Sequence, residues 1–383
     1  MKKKKVLFMI DSLGCGGAEK SLVSLLPLLD YSKIDVTLLM VARGGIFECY
    51  VPKEVKMVGF EWPSTLKYKF AHICYAFKHR YYSMINKVIY PAMSMWHSVG
   101  WALPTYKEEY DYAFAYQQGF PTYYIANKVK AKRKFSWANI DMKAANHDVK
   151  YDSMTYNAFD RVIAVSDAVY EGLLKDKYVK NPSKVVTIYD ILNPQLIQRM
   201  SQEKGFTDDY KGLRFVTCGR IVDQKGYDMA VLAANELRKR GHNFKWYFVG
   251  DGTDKPLVEA LIKEKELEDY VKLLGVKVNP YPYMKECDIY VQTSRFEGFG
   301  LTVTEARILG KAEVCTNFPS AYNQITDGVN GLICNMTPED IADKIEMLIE
   351  NPDLKAKLES NVAKERNMTA VTESAKVKEL LKL

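Results

Sequence analysis

The same three-part unit occurs twice in this chain, and that repetition constrains the fold more than any other feature. Val6 to Ile10 is a short apolar run of the kind a buried parallel strand requires. It passes through the glycine-rich turn Ser12-Leu13-Gly14-Cys15-Gly16-Gly17 into an apolar-periodic helix at Ala18 to Leu29. The pattern restarts with a strand at Arg214 to Cys218, a turn at Gly219 to Gly226 and a helix at Tyr227 to Lys239. After the first unit, strands are expected at Val36 to Val41, Tyr112 to Tyr116, Phe135 to Ala138 and Arg161 to Val165. After the second they are expected at Lys245 to Val249, Val271 to Leu274, Ile289 to Gln292 and Ala312 to Cys315. Strands alternating with helices give parallel sheets, so the expected class is α/β: two Rossmann-like, doubly wound parallel-sheet domains facing across a cleft. The expected domains are residues 1–194 and 195–383, joined near a polar helix around Gln195 to Lys204. A chain of 383 residues, 48% of them apolar, is long enough for two such cores. Pro352 to Leu383 reads as charged amphipathic helix, packed on the second sheet or crossing back to the first.

Composition removes several classes of function. Seven cysteines, odd in number, scattered and never spaced C-x-x-C, argue against a disulfide framework and against a zinc site, and imply a reducing cytoplasm. Five histidines with no H-x-x-x-H or H-x-H pair leave little to build an imidazole metal site, so neither metal nor cofactor is expected. The basic start followed by Val6 to Ile10 is too short to be a signal peptide, because Asp11 ends it. No run reaches the roughly 18–20 apolar residues of a spanning helix, so a soluble or surface-bound cytoplasmic protein is expected. A net charge of +7 is mild for this length, and no nucleic-acid module is recognisable.

Residues 62–107 differ from the rest. No acidic residue occurs there, while Lys67, Lys69, Lys78, Arg80 and Lys87 are interleaved with Tyr68, Phe70, Tyr75, Phe77, Trp96 and Trp101. Such a segment suits contact with an anionic membrane, where basic side chains and aromatic rings are both favoured. It equally suits a helical insertion whose aromatics are core and whose lysines are solvated, and the sequence leaves the two open.

The densest chemistry lies in Ser294-Arg295-Phe296-Glu297-Gly298-Phe299-Gly300-Leu301-Thr302-Val303-Thr304-Glu305-Ala306. Glu297 falls at the carboxyl end of a strand, where open parallel sheets place ligands, and Glu305 in the first turns of the next helix. The backbone N–H groups of Gly298 to Leu301 precede that helix and suit a phosphate oxygen. A carboxylate at Glu305 can accept from two ribose hydroxyls at once. In Gly219-Arg220-Ile221-Val222-Asp223-Gln224-Lys225-Gly226, two cations five residues apart follow a strand end, a planar fork and a mobile point charge that could both reach one diphosphate. Taken alone, the glycines could simply make turns, Glu305 could serve the helix dipole, and Arg220 and Lys225 could be solvated surface residues.

These segments, with Gly250-Asp251-Gly252, Leu274 to Tyr281 and Asp327-Gly328-Val329-Asn330-Gly331, resemble the retaining glycosyltransferases of family 4, which have the GT-B fold. Gly16-Gly17-Ala18-Glu19, Val165-Ser166 and a strand at Ile188 to Leu192 extend the likeness into the first half. The resemblance implies a hexosyltransferase-type enzyme that retains anomeric configuration without a metal. It would take a nucleotide-diphosphate sugar as donor and a glycan or lipid-linked acceptor, at the inner face of a membrane, in cell-surface polysaccharide synthesis. It places Glu305 on the ribose, Arg220 and Lys225 on the diphosphate, and Glu297 with the Phe299 and Gly300 backbone on the donor sugar and its phosphate. The base would lie near Val276, Lys277 and Val278, with Gly16 and Gly17 toward the donor phosphate and acceptor. Where relatives commonly have Trp-x-His, this chain has Trp137-Ala138-Asn139, so an amide that does not titrate near neutral pH stands near the acceptor. Asp190 and Ala312-Glu313 stand where relatives often have Asn and a Pro-apolar pair, changes the fold is expected to tolerate.

Two rival readings follow from the same residues. A dinucleotide oxidoreductase is disfavoured, because Glu19 replaces the third fingerprint glycine and Arg43, not an acid, follows the second strand. A non-catalytic nucleotide-sugar-binding module of the same fold stays open.

Overall fold

Strands that lie inside a parallel sheet are covered on both faces, which is why Val6 to Ile10 and Phe215 to Cys218 carry almost no polar side chain. The computed structural model describes residues 2–14, 16–84, 90–365 and 368–383; Cys15 and Lys87 lie outside them. Backbone contacts divide the chain into two units, Met1–Ile191 with Thr372–Leu383, and Leu192–Val371.

The first unit holds seven strands: β1 (Lys4–Ile10), β2 (Ile34–Met40), β3 (Lys56–Gly59), β4 (Glu109–Ala115), β5 (Lys130–Ala138), β6 (Arg161–Ala164) and β7 (Val185–Thr187). They are ordered β3-β2-β1-β4-β5-β6-β7, and every pairing is parallel. The second holds six: β8 (Leu213–Cys218), β9 (Phe244–Val249), β10 (Val271–Gly275), β11 (Ile289–Gln292), β12 (Glu313–Thr316) and β13 (Leu332–Cys334). Their order is β10-β9-β8-β11-β12-β13, again all parallel. Each sheet reverses its order once, between β1 and β4 and between β8 and β11, and such a reversal opens a crevice at the carboxyl ends of the two strands.

Aromatic side chains lock the first sheet. Phe8 stacks on Phe114 at 4.8 Å and Phe114 on Phe135 at 4.7 Å, one ring from each of β1, β4 and β5, which pins their register. In the second sheet Trp246 is fully buried and satisfies its indole N–H on the Thr217 hydroxyl at 3.0 Å, so the ring is buried without an orphan donor. Some helices start at a short polar side chain that caps them: Ser166 accepts from Val169 N–H and Thr337 from Asp340 N–H, the latter with Pro338 at the first position.

The expected strand at Ile188 to Leu192 is not present. The ladder with β6 ends with Ile188, whose N–H donates to Ala164 O at 3.0 Å, and beyond it side chains hold the backbone: Tyr189 N–H donates to Glu373 at 2.9 Å and Ile191 N–H to the Ser21 hydroxyl at 3.2 Å. The helix Met368–Leu381 thus closes the first unit, with the Lys4 ammonium on the carbonyls of Leu381 and Lys382 at 3.0 and 2.8 Å. The basic-aromatic segment forms helices at Leu66–Met84 and Pro91–Val99, and its aromatics divide: Tyr68 and Trp96 are core, Phe70, Phe77 and Trp101 are exposed.

The two departures Asp190 and Glu313 are both buried carboxyls. Among the described residues one oxygen of Asp190 and both oxygens of Glu313 lack a hydrogen-bond partner. Burial pushes Glu313 well up and Asp190 to about 7, the Ser21 hydroxyl offsetting only part of the latter. For Asp190 the sign is fixed: the unfolded chain sheds this proton near 3.8 and the folded chain near 7, so folding is progressively penalised as pH rises between them. Asp190→Asn is expected to stabilise the protein by on the order of 2–4 kcal/mol at about pH 8 and by clearly less at about pH 5. Thermal melts at the two pH values check this, and an equal gain at both would refute it.

Candidate functional site

The crevice between β8 and β11 is assembled by close backbone approach. After β8 the chain turns through Gly219 to Gly226, and a Cβ on Gly250 would lie 1.8 Å from the Gly219 carbonyl oxygen. Gly226 is left-handed (φ 63°, ψ 35°), and a Cβ there would lie 2.1 Å from the Thr293 carbonyl oxygen. That approach fastens the turn to the loop after β11. The Thr293 hydroxyl donates to Lys225 O at 2.9 Å, and Arg295 N–H to Gln224 O at 2.8 Å. The Arg295 guanidinium forks onto Asp228 at 3.0 and 2.7 Å and reaches Asp223 O at 2.6 Å. Burial pushes the Asp228 carboxyl up, but the Arg295 fork together with backbone N–H donors of Met229 and Asp228 holds the group below its ordinary value.

This fastening brings Lys225 and Glu297 together. The Lys225 ammonium donates to Glu297 Oε1 at 2.5 Å, with side-chain exposures of only 15% and 8%. The same oxygen accepts from the Ser294 hydroxyl at 2.6 Å and from Gln292 Nε2 at 3.2 Å. Gln292 is itself fixed, its Oε1 accepting from the Tyr290 and Thr302 hydroxyls at 2.6 and 3.0 Å. A buried ion pair is tolerable when its other lone pairs are satisfied, and this one is. Arg220, by contrast, is exposed and makes no side-chain hydrogen bond or ion pair among the described residues. The two cations read as one diphosphate pair therefore differ: Lys225 is held by Glu297 and Arg220 faces solvent.

Gly300 (φ 90°, ψ 55°) caps the helix Leu301–Ile308, turning the amides of Gly298 to Leu301 to the helix's positive end. Gln324 steadies that turn, donating to Phe299 O at 2.5 Å and accepting from the Thr304 hydroxyl at 2.5 Å. Glu305 is fully buried and accepts from the Tyr281 hydroxyl at 2.9 Å. Val276 and Val278 stand exposed in the loop after β10, with the Lys277 ammonium 5.8 Å over the Tyr283 ring.

In the first unit Gly16 caps the helix that begins at Gly17, and the Glu19 carboxylate folds back so closely that a Cβ on Gly16 would lie 2.2 Å from it. Asn139 follows β5; its Nδ2 donates to Tyr116 O at 2.9 Å, and its backbone N–H to Gln118 Oε1 at 3.1 Å. Asp11, at the end of β1, is pushed up to about 6 by burial and by the Glu19 charge. Asp11, Gln118, Gln292 and Gln324 were not singled out from sequence. The signal for Gln292 was available: a long polar side chain closing an otherwise apolar strand needs buried partners. Among the described residues one histidine-carboxylate group, His242 with Glu346 and Glu350, has candidate ligand atoms within 4.8 Å of one another. Glu346 is there already paired with Arg240 and His242, at 2.7 Å each.

In doubly wound α/β architectures the switch point, with a capped helix start beside it, is where phosphate-bearing ligands are commonly bound. Residues 199–365, within the second unit, match the model of the glycosyl transferases group 1. The N-acetylgalactosamine-N,N'-diacetylbacillosaminyl-diphospho-undecaprenol 4-alpha-N-acetylgalactosaminyltransferase of Campylobacter jejuni is 24% identical over 376 residues, 95% of this chain and 94% of that one. The poly(ribitol-phosphate) alpha-N-acetylglucosaminyltransferase of Staphylococcus aureus is 33% identical over 145 residues, 37% of this chain and 29% of that protein. Among solved structures, Anabaena HepE in complex with UDP and glucose has a TM-score of 0.75 at 19% identity, each chain covered to 99%. A mutant of Staphylococcus aureus TarM, in complex with Fondaparinux, alpha-GlcNAc-glycerol and UDP, has a TM-score of 0.69 at 16% identity, covering 98% and 99%. The fold is that of these GT-B neighbours, and the matches together support a glycosyltransferase.

Gly226→Ala would force a backbone shift at Thr293 and strain a left-handed residue. A loss of about 1–3 kcal/mol is expected in urea denaturation. An unchanged midpoint would mean that the turn does not lie against Thr293.

Proposed function

We propose that the protein is a retaining, metal-independent glycosyltransferase that moves a hexose-type sugar from a nucleotide-diphosphate donor to a glycan or lipid-linked acceptor in cell-surface polysaccharide synthesis. The observation that carries this reading is the Lys225–Glu297 pair held in the loops after β8 and β11, with the helix Leu301–Ile308 starting four residues beyond Glu297. Arg220, exposed, and Lys225 neutralise the departing diphosphate in place of a metal, and the amides of Gly298 to Leu301 take a phosphate oxygen. Glu305 holds the ribose, Val276, Lys277 and Val278 flank the base, and Glu297 with the Phe299 and Gly300 backbone orients the sugar. With three donors already on one oxygen, Glu297 suits a fixed hydrogen-bond acceptor better than an attacking nucleophile. Gly16 and Gly17 approach the donor phosphate and the acceptor, and Asn139 serves the acceptor side.

The UDP in the HepE and TarM complexes favours uracil as the base, and the diphospho-undecaprenol in the Campylobacter relative's name favours a lipid-linked acceptor. The reading extends to peripheral contact with an anionic membrane through residues 62–107, at the cytoplasmic face. No helix among the described residues is long and apolar enough to cross one.

A ligand that binds only the folded state raises its melting temperature. A panel of UDP, GDP, ADP and CMP, with chelator present, is expected to show stabilisation by UDP; no shift with any of them would leave the donor reading without support. Glu305→Ala is expected to weaken UDP binding about tenfold or more. Lys225→Ala is expected to lower kcat for UDP release from the sugar donor about 100-fold, with a smaller change in KM. Near-native kinetics for both variants would overturn the site assignment.

A further inference from the structure

A helix at a protein surface ordinarily hides its apolar stripe and turns its polar side chains to water. Leu66–Met84 reverses this over its first three turns. Leu66, Phe70, Ile73 and Phe77 are 85%, 61%, 54% and 72% exposed, while Tyr68 and Ala71 make the packed face. Steps of four, three and four residues set the exposed four along one line. At roughly 100° per residue, Tyr68 and Ala71 fall on the opposite half of the helix. The line therefore lies opposite the face that packs within the first unit. Lys67 and Lys78 border it on one side, Lys69 and Arg80 on the other, and no acidic residue occurs anywhere in residues 62–107. Trp101 adds a further half-exposed ring, with the Lys67 ammonium 4.9 Å over it.

Contiguous exposed apolar side chains of this size mark an interaction surface. The charge pattern selects the occupant. A second copy packed stripe to stripe would bring two sets of Lys67, Lys69, Lys78 and Arg80 together, and like charges at such a seam oppose association. An anionic bilayer offers what both parts need, an apolar interior for the stripe and headgroup phosphates for its borders. We propose that helix Leu66–Met84 lies in the plane of an anionic leaflet, with Leu66, Phe70, Ile73 and Phe77 seated at the acyl boundary and Lys67, Lys69 and Arg80 on headgroup phosphates. This deepens the reading above, on which a lipid-linked acceptor rests, by naming the side chains that meet the lipid and by making apolar insertion, rather than lysine charge alone, the anchor.

The test is flotation of the full chain with phosphatidylcholine vesicles and with vesicles that also contain phosphatidylglycerol. The wild type is expected to float with the anionic vesicles and not with the neutral ones. Phe70→Ser combined with Phe77→Ser is expected to weaken that binding about tenfold or more. Lys67→Gln combined with Lys69→Gln is expected to weaken it and to flatten its salt dependence. Both variants should melt with the wild type and keep its response to UDP. Wild-type affinity in the phenylalanine variant overturns the proposal, as does a wild type that floats with neither vesicle, or one that forms a dimer the phenylalanine changes dissolve while vesicle binding is unchanged. A wild type that floats with the anionic vesicles but never responds to UDP, with flotation lost in the phenylalanine variant, would sink the donor reading and leave this surface standing.

Discussion

Everything in the second unit's site depends on how near two pieces of backbone come to each other where Gly226 meets Thr293. The strands β8 and β11 are neighbours because the sheet reverses its order there, but adjacency alone would leave their loops apart. A residue without Cβ, in a left-handed turn, lets the loops touch, and hydrogen bonds from Thr293 and Arg295 then hold them. Only after that contact do Lys225 and Glu297, 72 residues apart in the chain, share a proton-bearing contact of 2.5 Å.

The Lys225–Glu297 pair gives the crevice a character that charge counting misses. Together the two residues are neutral, largely screened from water and tied by Gln292 and Ser294, so they act as an oriented dipole more than as free ions. Preorganised dipoles of this sort stabilise developing charge without having to reorganise. Among the described residues the unpaired positive charge of the two is Arg220, exposed in the turn after β8. The helix start at Leu301 supplies fixed partial charge between these extremes.

Much of this was legible in the sequence, for reasons tied to particular residues. The helix Tyr227–Lys239 and the strand Ile289–Gln292 have the expected bounds because buried parallel strands and amphipathic helices leave strong periodic signals. The edge strands β3, Lys56–Gly59, and β13, Leu332–Cys334, were not read, because runs of four and three residues are too short to show a period. The strand at Ile188 to Leu192 was read where the chain is held instead by Ser21 and Glu373, contacts 170 and 184 residues away that no local pattern encodes. In the site, the acids, cations and glycines announced themselves by type and spacing. Their pairing did not, since which cation meets Glu297 is decided by the Gly226 approach. For Leu66–Met84 the mix of basic and aromatic residues was visible but not which of the aromatics would be covered, because that depends on what packs against Tyr68 and Ala71.

The return of the final helix to the first unit bears on how the chain reaches its native state. Residues 192–371 form one uninterrupted stretch that contains all the partners its own sheet needs. The first unit is split around that stretch, and its closing contacts, Tyr189 to Glu373 and Lys4 to Leu381, span 184 and 377 residues. Contacts so distant in sequence form late, because the intervening loop must be brought to heel before they are rewarded. The second unit can therefore be complete while the first still lacks its last piece, so that the domain that begins first finishes last.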